Sequence, residues 1–439
     1  MSYASILAKF KIEQLNPMQM ETIAAIEQKD DVMLISPTGS GKTLAFLLPL
    51  LSLLKPVPGI QVLIMVPTRE LAIQIEQVFK QITTEYKINC CYGGHPVRIE
   101  KNNLSTPPAV LVGTPGRIAY HIEHANVEVY KAHTLILDEF DKSLQQGFEE
   151  DMGYIVRMLK NLRKRVLTSA TQLTEVMPEF IKLHNPTTLD YTAQMAEQKP
   201  SQLEVKQVRI PEVMDKLEAL LLLIGKLGGK SKIVFCNHRD AVRRIGQQLH
   251  RLDVAHGTYH GEMEQIEREK TLIKLRNGST NLLITTDLAA RGLDIPEIEA
   301  VIHYQLPATE DSMVHRNGRT ARMNATGTAY LMLESKDYIP KYMTTEPEEE
   351  TLPATYTSPP PPLWKTLYIS AGKKDKVNKI DIVGTLLQNG DLLKDDLGKI
   401  EVLDYSAYAA IKADKIDRTL GKIRNVPIKG KKMKYEVAS

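Results

Sequence analysis

The string SPTGSGKT, from Ser36 to Thr43, has the residue types and spacing that suit binding of a phosphate group. It follows the β-rich run VMLIS and precedes the apolar stretch TLAFLLPLLSLL, so it joins a predicted strand to a predicted helix. Gly39 and Gly41 let backbone N–H groups close around phosphates at a helix N-terminus, while Lys42 supplies positive charge and Thr43 a hydroxyl for Mg²⁺. The pattern predicts nucleotide binding, although Ser36 stands where the usual motif has glycine or alanine.

An acidic string lies farther along the chain, where the predicted strand TLIL ends in Asp138-Glu139-Phe140-Asp141. Carboxylates at the carboxyl ends of parallel strands lie where open α/β sheets bind ligands. Asp138 is placed to hold Mg²⁺ through water, and Glu139 to orient or deprotonate a water that attacks a phosphoryl group. Such a string alone is often a helix cap, but together with the phosphate-binding string it predicts phosphoryl transfer.

Two α/β domains are predicted to position these residues. Before about residue 192, apolar β-rich runs alternate with amphipathic stretches, and the runs are VMLIS, QVLIMV, AVLVG, TLILD and RVLTS. A second series follows, with KIVFC, NLLITT, AVIHY and GTAYLML. Strands that alternate with helices form βαβ units and a parallel sheet. The predicted boundaries are 1–200 and 203–342, joined by a polar stretch near 193–202.

Residues 343–363 contain TTEPEEETLPATYTSPPPPL, which is rich in proline and acid. Such a composition predicts a linker that neither buries a core nor continues a sheet. The run of four prolines favours an extended polyproline II spacer, and the alternative is a docking motif for a proline-reading domain.

The final segment, 364–439, is predicted to be a small α+β domain. Its pattern runs from the strand-like KTLYIS through the helical NKIDIVGTLLQNG and the strand-like KIEVL and YSAYAAI to the helical KADKIDRTLGKI and a final KMKYEV. This β-α-β-β-α-β order builds the split βαβ sheet on which many RNA-binding domains are based.

Length and composition exclude several classes of protein. The 439 residues exceed one compact domain of roughly 100 to 200 residues. With 43% hydrophobic and 25% charged residues and no uninterrupted apolar run long enough to span a bilayer, the chain is not expected to have a membrane helix. The N-terminus shows no secretory pattern, which favours the cytoplasm. Cys90, Cys91 and Cys236 lack any disulfide or zinc spacing and are expected to be reduced structural thiols.

Positive charge is concentrated in the tail. Residues 364–439 contain 16 lysines and arginines against 10 aspartates and glutamates, a net charge of +6, whereas the whole chain carries +3. A basic unit attached to a nearly neutral body favours a nucleic-acid or other anionic partner for the tail, although basic surfaces also serve solubility alone.

Together the strings of the two α/β domains resemble the DEAD-box RNA helicases of superfamily two, over nearly all of residues 10–335. The resemblance implies two RecA-like domains, ATP as the nucleotide and Mg²⁺ as the metal. Asn16-Pro-Met-Gln19 is similar to the adenine-reading Q motif, in which Gln19 would select ATP, and Phe10 and Tyr3 are the candidates for stacking on adenine. The implied nucleotide-binding residues are Gln19, Thr38, Gly39, Ser40, Gly41, Lys42, Thr43 and Asp294.

The resemblance also assigns an RNA-binding side and a coupling element. Pro67-Thr-Arg-Glu-Leu71, Gly93-Gly94 and Thr114-Pro-Gly-Arg117 are similar to the family's strings that lie along RNA, and Ser169-Ala-Thr171 to the element that couples hydrolysis to strand separation. In the second domain, Gln265, Arg268 and Thr286 resemble RNA contacts. The implied RNA contacts in the two domains are Arg69, Gly94, Thr114, Arg117, Gln265, Arg268 and Thr286.

Arginines of the second domain are expected to complete the catalytic site. Arg319 and Arg322, in the string His315-Arg-Asn-Gly-Arg-Thr-Ala-Arg322, are the candidate arginine fingers, which reach a γ-phosphate only when the two domains close. If ATP and RNA both bind the closed state better, each raises affinity for the other by linkage, and hydrolysis releases the clamp. A closed clamp that bends one strand would separate a few base pairs without translocating.

The tail resembles the C-terminal RNA-binding domain of the DbpA-type bacterial helicases, through LYISAGKKDKV, DIVGTLL, DDLGKIEVLD and IKGKKMKYEV. The resemblance implies binding to 23S ribosomal RNA. Tyr368 is the candidate for stacking on a base, or else a packed core residue. Tyr405 and Tyr408 depart from the family's aromatic pattern, which favours a loop-and-lysine surface as the alternative to the sheet face. The candidate phosphate-binding lysines are Lys373, Lys374, Lys376, Lys429, Lys431, Lys432 and Lys434.

The sequence therefore predicts a monomeric, cytoplasmic, RNA-dependent ATPase that remodels 23S ribosomal RNA during assembly of the large ribosomal subunit. The alternatives are a superfamily-two DNA helicase, a general RNA chaperone, and an ATP-gated RNA clamp that seldom hydrolyses ATP. Gln19 and Thr114-Pro-Gly-Arg117 argue against the DNA enzyme, and Lys42, Glu139 and the two arginines argue against the clamp.

Overall fold

A computed structural model describes residues 3–37, 39–170, 178–192, 203–287, 295–296, 298–320, 326–343 and 345–438. The described residues up to 192 belong to one compact unit, and the described residues from 203 onward belong to a second. The polar stretch predicted to join the two α/β domains lies outside the described residues.

The first unit is built around a seven-stranded parallel sheet with strand order β3-β4-β2-β5-β6-β1-β7. The strands are β1 (Asp31–Ile35), β2 (Val62–Met65), β3 (Ile88–Cys91), β4 (Val110–Gly113), β5 (Thr134–Leu137), β6 (Lys164–Ser169) and β7 (Thr187–Asp190). All five apolar runs read from the sequence form strands here. The strands β3 and β7 were missed, because their residues (INCC and TTLD) are less apolar than those of the other five strands.

Helices cover the two faces of this sheet, as the parallel strand order requires. They are α1 (Ala4–Lys9), α2 (Pro17–Gln28), α3 (Lys42–Leu47), α4 (Leu50–Leu53), α5 (Arg69–Ile82), α6 (Val97–Leu104), α7 (Pro115–Glu123), α8 (Phe140–Gln145) and α9 (Glu149–Met158). The strands are buried on both sides and separate two apolar clusters, one around Phe46 and Phe79 and the other around Phe140 and Met152. The apolar stretch after the phosphate-binding string forms two short helices, since Pro49 interrupts it.

The second unit contains another seven-stranded parallel sheet, with order β10-β11-β9-β12-β13-β8-β14. The strands are β8 (Leu203–Ile210), β9 (Lys232–Phe235), β10 (Gly257–Tyr259), β11 (Leu282–Thr285), β12 (Ala300–His303), β13 (Gly327–Glu334) and β14 (Glu348–Glu349). The helices are α10 (Lys216–Leu227), α11 (Arg239–Arg251), α12 (Gln265–Arg276) and α13 (Glu310–Asn317). The repetition of the same architecture confirms the prediction of two α/β domains.

The segment predicted as a linker departs from expectation in two respects. Its residues Glu348 and Glu349 continue the second sheet, because they pair in parallel with Lys206 and Gln207 of β8. Farther on, Leu352 and Tyr356 pack against the core of the same unit, and the carbonyl of Thr357 lies so close to α10 that only glycine fits at position 225. The expectation that this segment would neither join a sheet nor pack on a core was therefore wrong.

The tail forms a four-stranded antiparallel sheet with order β16-β17-β15-β18, covered on one face by two helices. Its elements are β15 (Trp364–Ile369), α14 (Lys379–Asn389), β16 (Leu397–Val402), β17 (Ala407–Lys412), α15 (Ile416–Ile423) and β18 (Tyr435–Val437). This is the predicted β-α-β-β-α-β order, and the predicted fold class of two parallel-sheet domains plus a small α+β domain is confirmed.

Candidate functional site

The phosphate-binding string lies at the carboxyl edge of the first sheet. Strand β1 ends at Ile35, which pairs with Ser169 at the end of β6, and the Ser36 N–H donates to the Ser169 carbonyl at 3.0 Å. The hydroxyl of Ser36 donates to that of Ser40 at 2.8 Å, inside the loop. A serine at position 36 is thus accommodated by a hydrogen bond within the loop, and the string starts beside the predicted coupling element.

Gln19 ties α2 to this loop. Its Nε2 donates to the Gly41 carbonyl at 3.2 Å, and the neighbouring Asn16 donates to the Ser40 carbonyl at 3.1 Å. The Asn16 and Gln19 side chains also form a reciprocal capping box at the start of α2. Gly41 has φ +89°, and a Cβ there would lie 2.4 Å from Gln19 Nε2. The Gln19 side-chain amide therefore makes hydrogen bonds to the start of its own helix and to the phosphate-binding loop. Its contact with adenine stays a prediction.

Lys42 begins α3 and is buried. Its ammonium donates to the carbonyl of Ser36 and, at 3.0 Å, to that of Pro37. Burial lowers the pKa of Lys42 to about 8, against the opposing influence of Asp138 and Glu139. The Lys42 ammonium thus lies against the first residues of the loop. The sequence predicts that it contacts phosphate there.

The acidic string begins directly after β5, at the same sheet edge. Asp138 is 3% exposed, and its Oδ1 accepts hydrogen bonds from the Thr168 hydroxyl and, at 3.1 Å, from the Glu139 N–H. Burial and the neighbouring Glu139 raise the pKa of Asp138 to about 6, although Thr168, Lys42 and Lys142 lower it. Thr168 was not predicted from the sequence, but it precedes Ser169 on β6 and links the coupling string to the acidic string.

Glu139 has a left-handed backbone, with φ +50° and ψ +50°, at the start of α8. This strained conformation turns the chain sharply from strand to helix, and such strain is concentrated at functional sites. The Lys142 ammonium lies 3.3 Å from the Glu139 carboxylate, and both residues are buried. Phe140, which replaces the smaller residue usual in the family, is fully buried in the apolar cluster behind the site.

The donor set at this edge fits Mg²⁺. The carboxylates of Asp138 and Glu139 and the hydroxyl of Thr43 provide only oxygen ligands, and both acidic side chains are buried at this edge. These are the ligands that Mg²⁺ prefers when it is held together with phosphates.

Several predicted site residues fall outside the described residues. They are Thr38 of the phosphate-binding string, Thr171 of the coupling string, and Asp294 and Arg322 of the second domain. Their roles stay predictions. Phe10 and Tyr3, the candidates for stacking on adenine, pack at the margin of the core near α5.

The predicted RNA-binding strings of the first domain lie at the carboxyl ends of β2, β3 and β4. Arg69 starts α5 and Thr114 precedes α7. Gly94 has φ +87°, and a Cβ there would lie 2.5 Å from Nη1 of Arg69. Arg117 donates from Nε to Glu100 at 2.7 Å and from Nη2 to the carbonyl of His95. The structure thus brings these predicted residues together around the glycine loop.

The second domain places its predicted RNA residues at two positions. Gln265 is the first residue of α12, and its Nε2 donates to Glu269 at 3.3 Å. Arg268 lies one turn farther along and is only 4% exposed, so little of it is available to a ligand in this conformation. Thr286 follows β11, where its N–H donates to the Tyr259 carbonyl at 3.4 Å.

Arg316 is a central residue that the sequence reasoning did not single out. It is fully buried on α13 and donates to both oxygens of Asp287, at 2.6 and 3.0 Å. It also donates to Asn237 and to the Gln305 carbonyl, each at 2.7 Å. Arg316 therefore connects α13 to the segments that directly follow β9, β11 and β12. The candidate arginine finger Arg319, three residues later, is 4% exposed, and its role stays a prediction.

The tail lysines are gathered on two adjacent loops, 373–376 and 429–434, which we call the lysine loops. Lys429 donates to the Lys376 carbonyl at 2.7 Å, and Lys431 lies 3.5 Å from Asp375, so the two loops are in contact. Among the described residues of these loops, four lysines have no carboxylate at ion-pair distance. These exposed lysines are Lys373, Lys374, Lys376 and Lys432.

The open face of the tail sheet is covered by the second domain. Thr366 is 2% exposed and hydrogen-bonds to Asn277 and Ser279, directly after α12. Tyr408 is 3% exposed and packs in one apolar cluster with Ile273 of α12. Because adjacent strand residues alternate between faces, these side chains all lie on the face opposite the tail's own helices.

An ion pair fixes this contact. Arg276, the last residue of α12, donates from Nε and Nη2 to the two carboxylate oxygens of Glu401, at 2.9 and 2.6 Å. Tyr368 lies edge-on to Tyr408, with ring centroids 5.5 Å apart, and belongs to the same covered face. The candidate base-stacking residue is therefore packed against protein. This supports the alternative that Tyr368 is a packed core residue.

No helix in the described ranges is both long enough and apolar enough to cross a bilayer.

Family models match three stretches of the chain. The DEAD/DEAH box helicase model matches residues 16–178, the helicase conserved C-terminal domain matches 213–324, and the DbpA RNA binding domain matches 366–437. The three matches follow the order of the three sheets.

Among curated proteins, the ATP-dependent RNA helicase DbpA of Bacillus subtilis (strain 168) is 30% identical, over 96% of this chain and 94% of its own length. DbpA of Escherichia coli (strain K12) is 29% identical, over 95% and 93%. The chain spans about half of some longer relatives, such as 54% of the ATP-dependent RNA helicase DeaD of Buchnera aphidicola subsp. Baizongia pistaciae, which is 33% identical.

Solved structures share the architecture of the two parallel-sheet domains. Dbp5 of S. cerevisiae, bound to RNA and ADP BeF3, is 26% identical with a TM-score of 0.66, and the match covers 76% of this chain and 87% of that one. Mss116p, bound to ssRNA and AMP-PNP, is 25% identical with a TM-score of 0.67, over 80% and 77%.

Tandem RecA-like domains, the first with a phosphate-binding loop beside an acidic strand end, define a nucleotide-binding protein of the P-loop class. The near full-length likeness to DbpA proteins identifies the family. The chain belongs to the DEAD-box ATP-dependent RNA helicases, and it carries a C-terminal domain of the DbpA RNA-binding type.

Proposed function

We propose that this protein is an RNA-dependent ATPase that locally unwinds or remodels structured RNA. The observation that carries the proposal is the convergence of Lys42, Asp138 and Glu139 at one sheet edge of a DEAD-box chain. Lys42 would bind phosphate, while Asp138 would hold Mg²⁺ and Glu139 would accept a proton from the attacking water. Mg²⁺ would supply charge neutralisation at the phosphates.

The proposed RNA surface of the first domain is the group around Gly94, with Arg69, Thr114 and Arg117 at strand ends. A glycine loop flanked by guanidinium groups suits a phosphate backbone, which needs charge and close approach but no base reading. Gln265, Arg268 and Thr286 extend this assignment to the second domain, by resemblance to the family.

For the tail, we propose that RNA binds at the lysine loops. Support comes from the exposed Lys373, Lys374, Lys431 and Lys432, and from the covering of the opposite sheet face by α12. Because phosphate contacts release counterions, binding through lysines is strongly salt-dependent. The likeness to DbpA-type domains supports structured 23S ribosomal RNA as the target, in assembly of the large subunit in the cytoplasm, with the protein acting as a monomer.

The proposal is tested by steady-state ATP hydrolysis at one salt concentration, with no nucleic acid, single-stranded DNA, an unrelated RNA, or 23S ribosomal RNA. We expect weak hydrolysis without RNA, stimulation by RNA but not by DNA, and the strongest stimulation by the ribosomal RNA. Equal stimulation by both RNAs would remove the proposed target and retain the RNA-dependent ATPase. Stimulation by DNA would point to a DNA helicase, and no stimulation to a clamp that seldom hydrolyses ATP.

A further inference from the structure

Glu100 is a charged residue buried in the first domain, and none of the motif strings contains it. It lies on α6 and is 1% exposed, with a side chain that has no accessible surface. Burying a carboxylate is costly unless several donors satisfy it. The identity of those donors therefore indicates what the residue does.

The donors come from two separate parts of the proposed RNA surface. Glu100 Oε1 accepts a hydrogen bond from the Tyr92 N–H at 3.1 Å and lies 3.4 Å from Nδ1 of His95, at the two ends of the glycine loop. Oε2 accepts from Arg117 Nε and from His121 Nε2, both at 2.7 Å and both on α7. One carboxylate thus joins the loop after β3 to the helix after β4.

His121 is held in one tautomer by its second contact. The side-chain amide nitrogen of Asn126 donates to His121 Nδ1 at 3.2 Å, so the ring proton lies on Nε2 and is donated to Glu100. The ring is fully buried. His121 therefore serves Glu100 as an oriented donor, and Arg117 is a positively charged partner of the same carboxylate.

Glu100 remains ionised within this network. Burial alone would raise its pKa, but hydrogen bonds from His121 and the Tyr92 N–H, together with the nearby His95 ring and the charge of Arg117, lower the pKa of Glu100 to about 2. A group with a lowered pKa stabilises the fold above its unfolded-state pKa and loses that contribution as the pH falls through its folded value. At neutral pH the carboxylate is therefore a permanent anchor.

Arg117 is only partly available for a ligand because of this anchor. Its Nε is bound to Glu100 and its Nη2 to the His95 carbonyl, while its guanidinium carbon lies 5.6 Å from the centre of the Tyr120 ring. Nη1 is the nitrogen for which the described residues provide no protein acceptor. The guanidinium is therefore fixed through Nε and Nη2, and Nη1 lies next to the glycine loop.

We propose that Glu100 is a positioning residue for RNA binding, which holds Arg117 and the Tyr92–His95 loop in the geometry that receives an RNA phosphate. The proposal rests on the RNA-binding role proposed for the first domain. Glu100 itself does not touch the ligand, because its carboxylate is inaccessible and its charge would repel a phosphate. It acts through the arginine that it orients and through the backbone of the loop that it closes.

A double-mutant cycle in the full-length protein tests this role, with Glu100→Gln, Arg117→Ala and the two combined. The glutamine retains the size of the side chain but places an amide NH₂ against donors and removes the charge. RNA affinity is read from the anisotropy of a fluorescent single-stranded RNA with a non-hydrolysable ATP analogue, nucleotide affinity from a fluorescent ADP, and folding from thermal melting. Glu123→Gln, an exposed carboxylate on the same helix α7, is the matched control.

We expect Glu100→Gln and Arg117→Ala each to weaken RNA binding about ten-fold, as loss of a charge-assisted hydrogen bond implies. The double variant should be no weaker than Arg117→Ala, because Glu100 acts through that arginine. Nucleotide affinity should stay within about two-fold, and Glu123→Gln should match the wild type. Wild-type RNA affinity in Glu100→Gln, or fully additive losses, would overturn the positioning role.

If Glu100→Gln does not fold, Arg117→Lys replaces it. The lysine retains the charge but has one nitrogen where Arg117 uses both Nε and Nη2, so it does not reproduce the geometry set by Glu100 and the His95 carbonyl. The same loss of RNA affinity is expected, and wild-type affinity would contradict the proposal. Failure of the wild-type protein to bind RNA at all would instead contradict the proposed function, and it would be seen before any variant is compared.

Discussion

The nucleotide-facing edge of the first domain and the sheet of the tail domain contrast in how their functional residues are placed. At the first, residues of motif strings come together because each string follows a parallel strand, and all these strands end at the same edge. At the second, an aromatic residue in the expected strand is covered by another part of the chain. A sequence motif predicts a site reliably when it directly follows a strand of a parallel sheet. It predicts a site less well when the packing of distant segments decides which face of a sheet is accessible to a ligand.

The largest effect is expected at the first of these regions. Glu139→Gln should retain ATP and RNA binding but lower RNA-stimulated hydrolysis by about 10²- to 10⁴-fold, since the amide cannot accept a proton from water. Steady-state hydrolysis and binding of a fluorescent nucleotide check this. Glu150→Gln, an exposed carboxylate on α9, is the control and should hydrolyse ATP normally. Turnover at the wild-type rate in Glu139→Gln would remove Glu139 from the mechanism.

The contact between Gln19 and the loop gives the next prediction. Gly41→Ala forces a Cβ to within 2.4 Å of Gln19 Nε2 at a positive φ, and we expect nucleotide affinity to fall about ten-fold or more. Gly147→Ala is a matched control, because Gly147 also has a positive φ, of +77°, but no atom near its Cβ position. It should lose about 1 kcal/mol of stability and retain nucleotide affinity. Equal effects of the two variants would show that strain, not the Gln19 contact, matters.

The ion pair between Arg276 and Glu401 tests whether the second domain covers one face of the tail sheet. Arg276→Glu should free the tail sheet, because it places two carboxylates together where the native pair makes two hydrogen bonds. We expect amide hydrogen exchange in β15 and β17 to accelerate about ten-fold, and Glu401→Arg in the same chain to restore protection. Unchanged exchange in the single variant would contradict the docked arrangement.

Replacing lysines should produce a smaller and salt-dependent change. With Lys373, Lys374 and Lys432 all changed to alanine, the slope of log affinity for ribosomal RNA against log salt should flatten by about two to three. The control changes Lys412, Lys415 and Lys422, which pair with Asp396 and Asp391, to alanine. An equal change of slope in both triple variants would mean that the lysine loops are not a specific binding surface.

The smallest effect on RNA is expected from Tyr368→Leu. Because the ring packs on Tyr408 and belongs to the covered cluster, RNA affinity should change by less than about two-fold. Loss of a base stack would cost about 1–3 kcal/mol of binding free energy. A fall of that size in RNA affinity, measured by anisotropy, would show that Tyr368 contacts RNA.

Much of the fold was predictable, because apolar runs such as VMLIS and KIVFC are long enough and β-rich enough to identify buried strands. Strands such as Ile88–Cys91 and Glu348–Glu349 were not predicted, because their polar or charged residues form no apolar run of their own. Buried polar connectors were also missed. Thr168, Glu100 and Arg316 act through partners far away in the chain, and their spacing in the sequence carries no sign of those partners.

The sequence by itself determined the phosphate-binding loop, the acidic strand end and the order of elements, since turn chemistry and apolar periodicity are local properties. Only the tertiary structure decided that Gln19 hydrogen-bonds to the phosphate-binding loop and that Glu100 joins the glycine loop to α7. It also decided that Arg276 and Ile273 of α12 cover one face of the tail sheet. The physical reason is that burial, ion pairing and choice of face depend on which surfaces meet, and residues distant in sequence supply those surfaces.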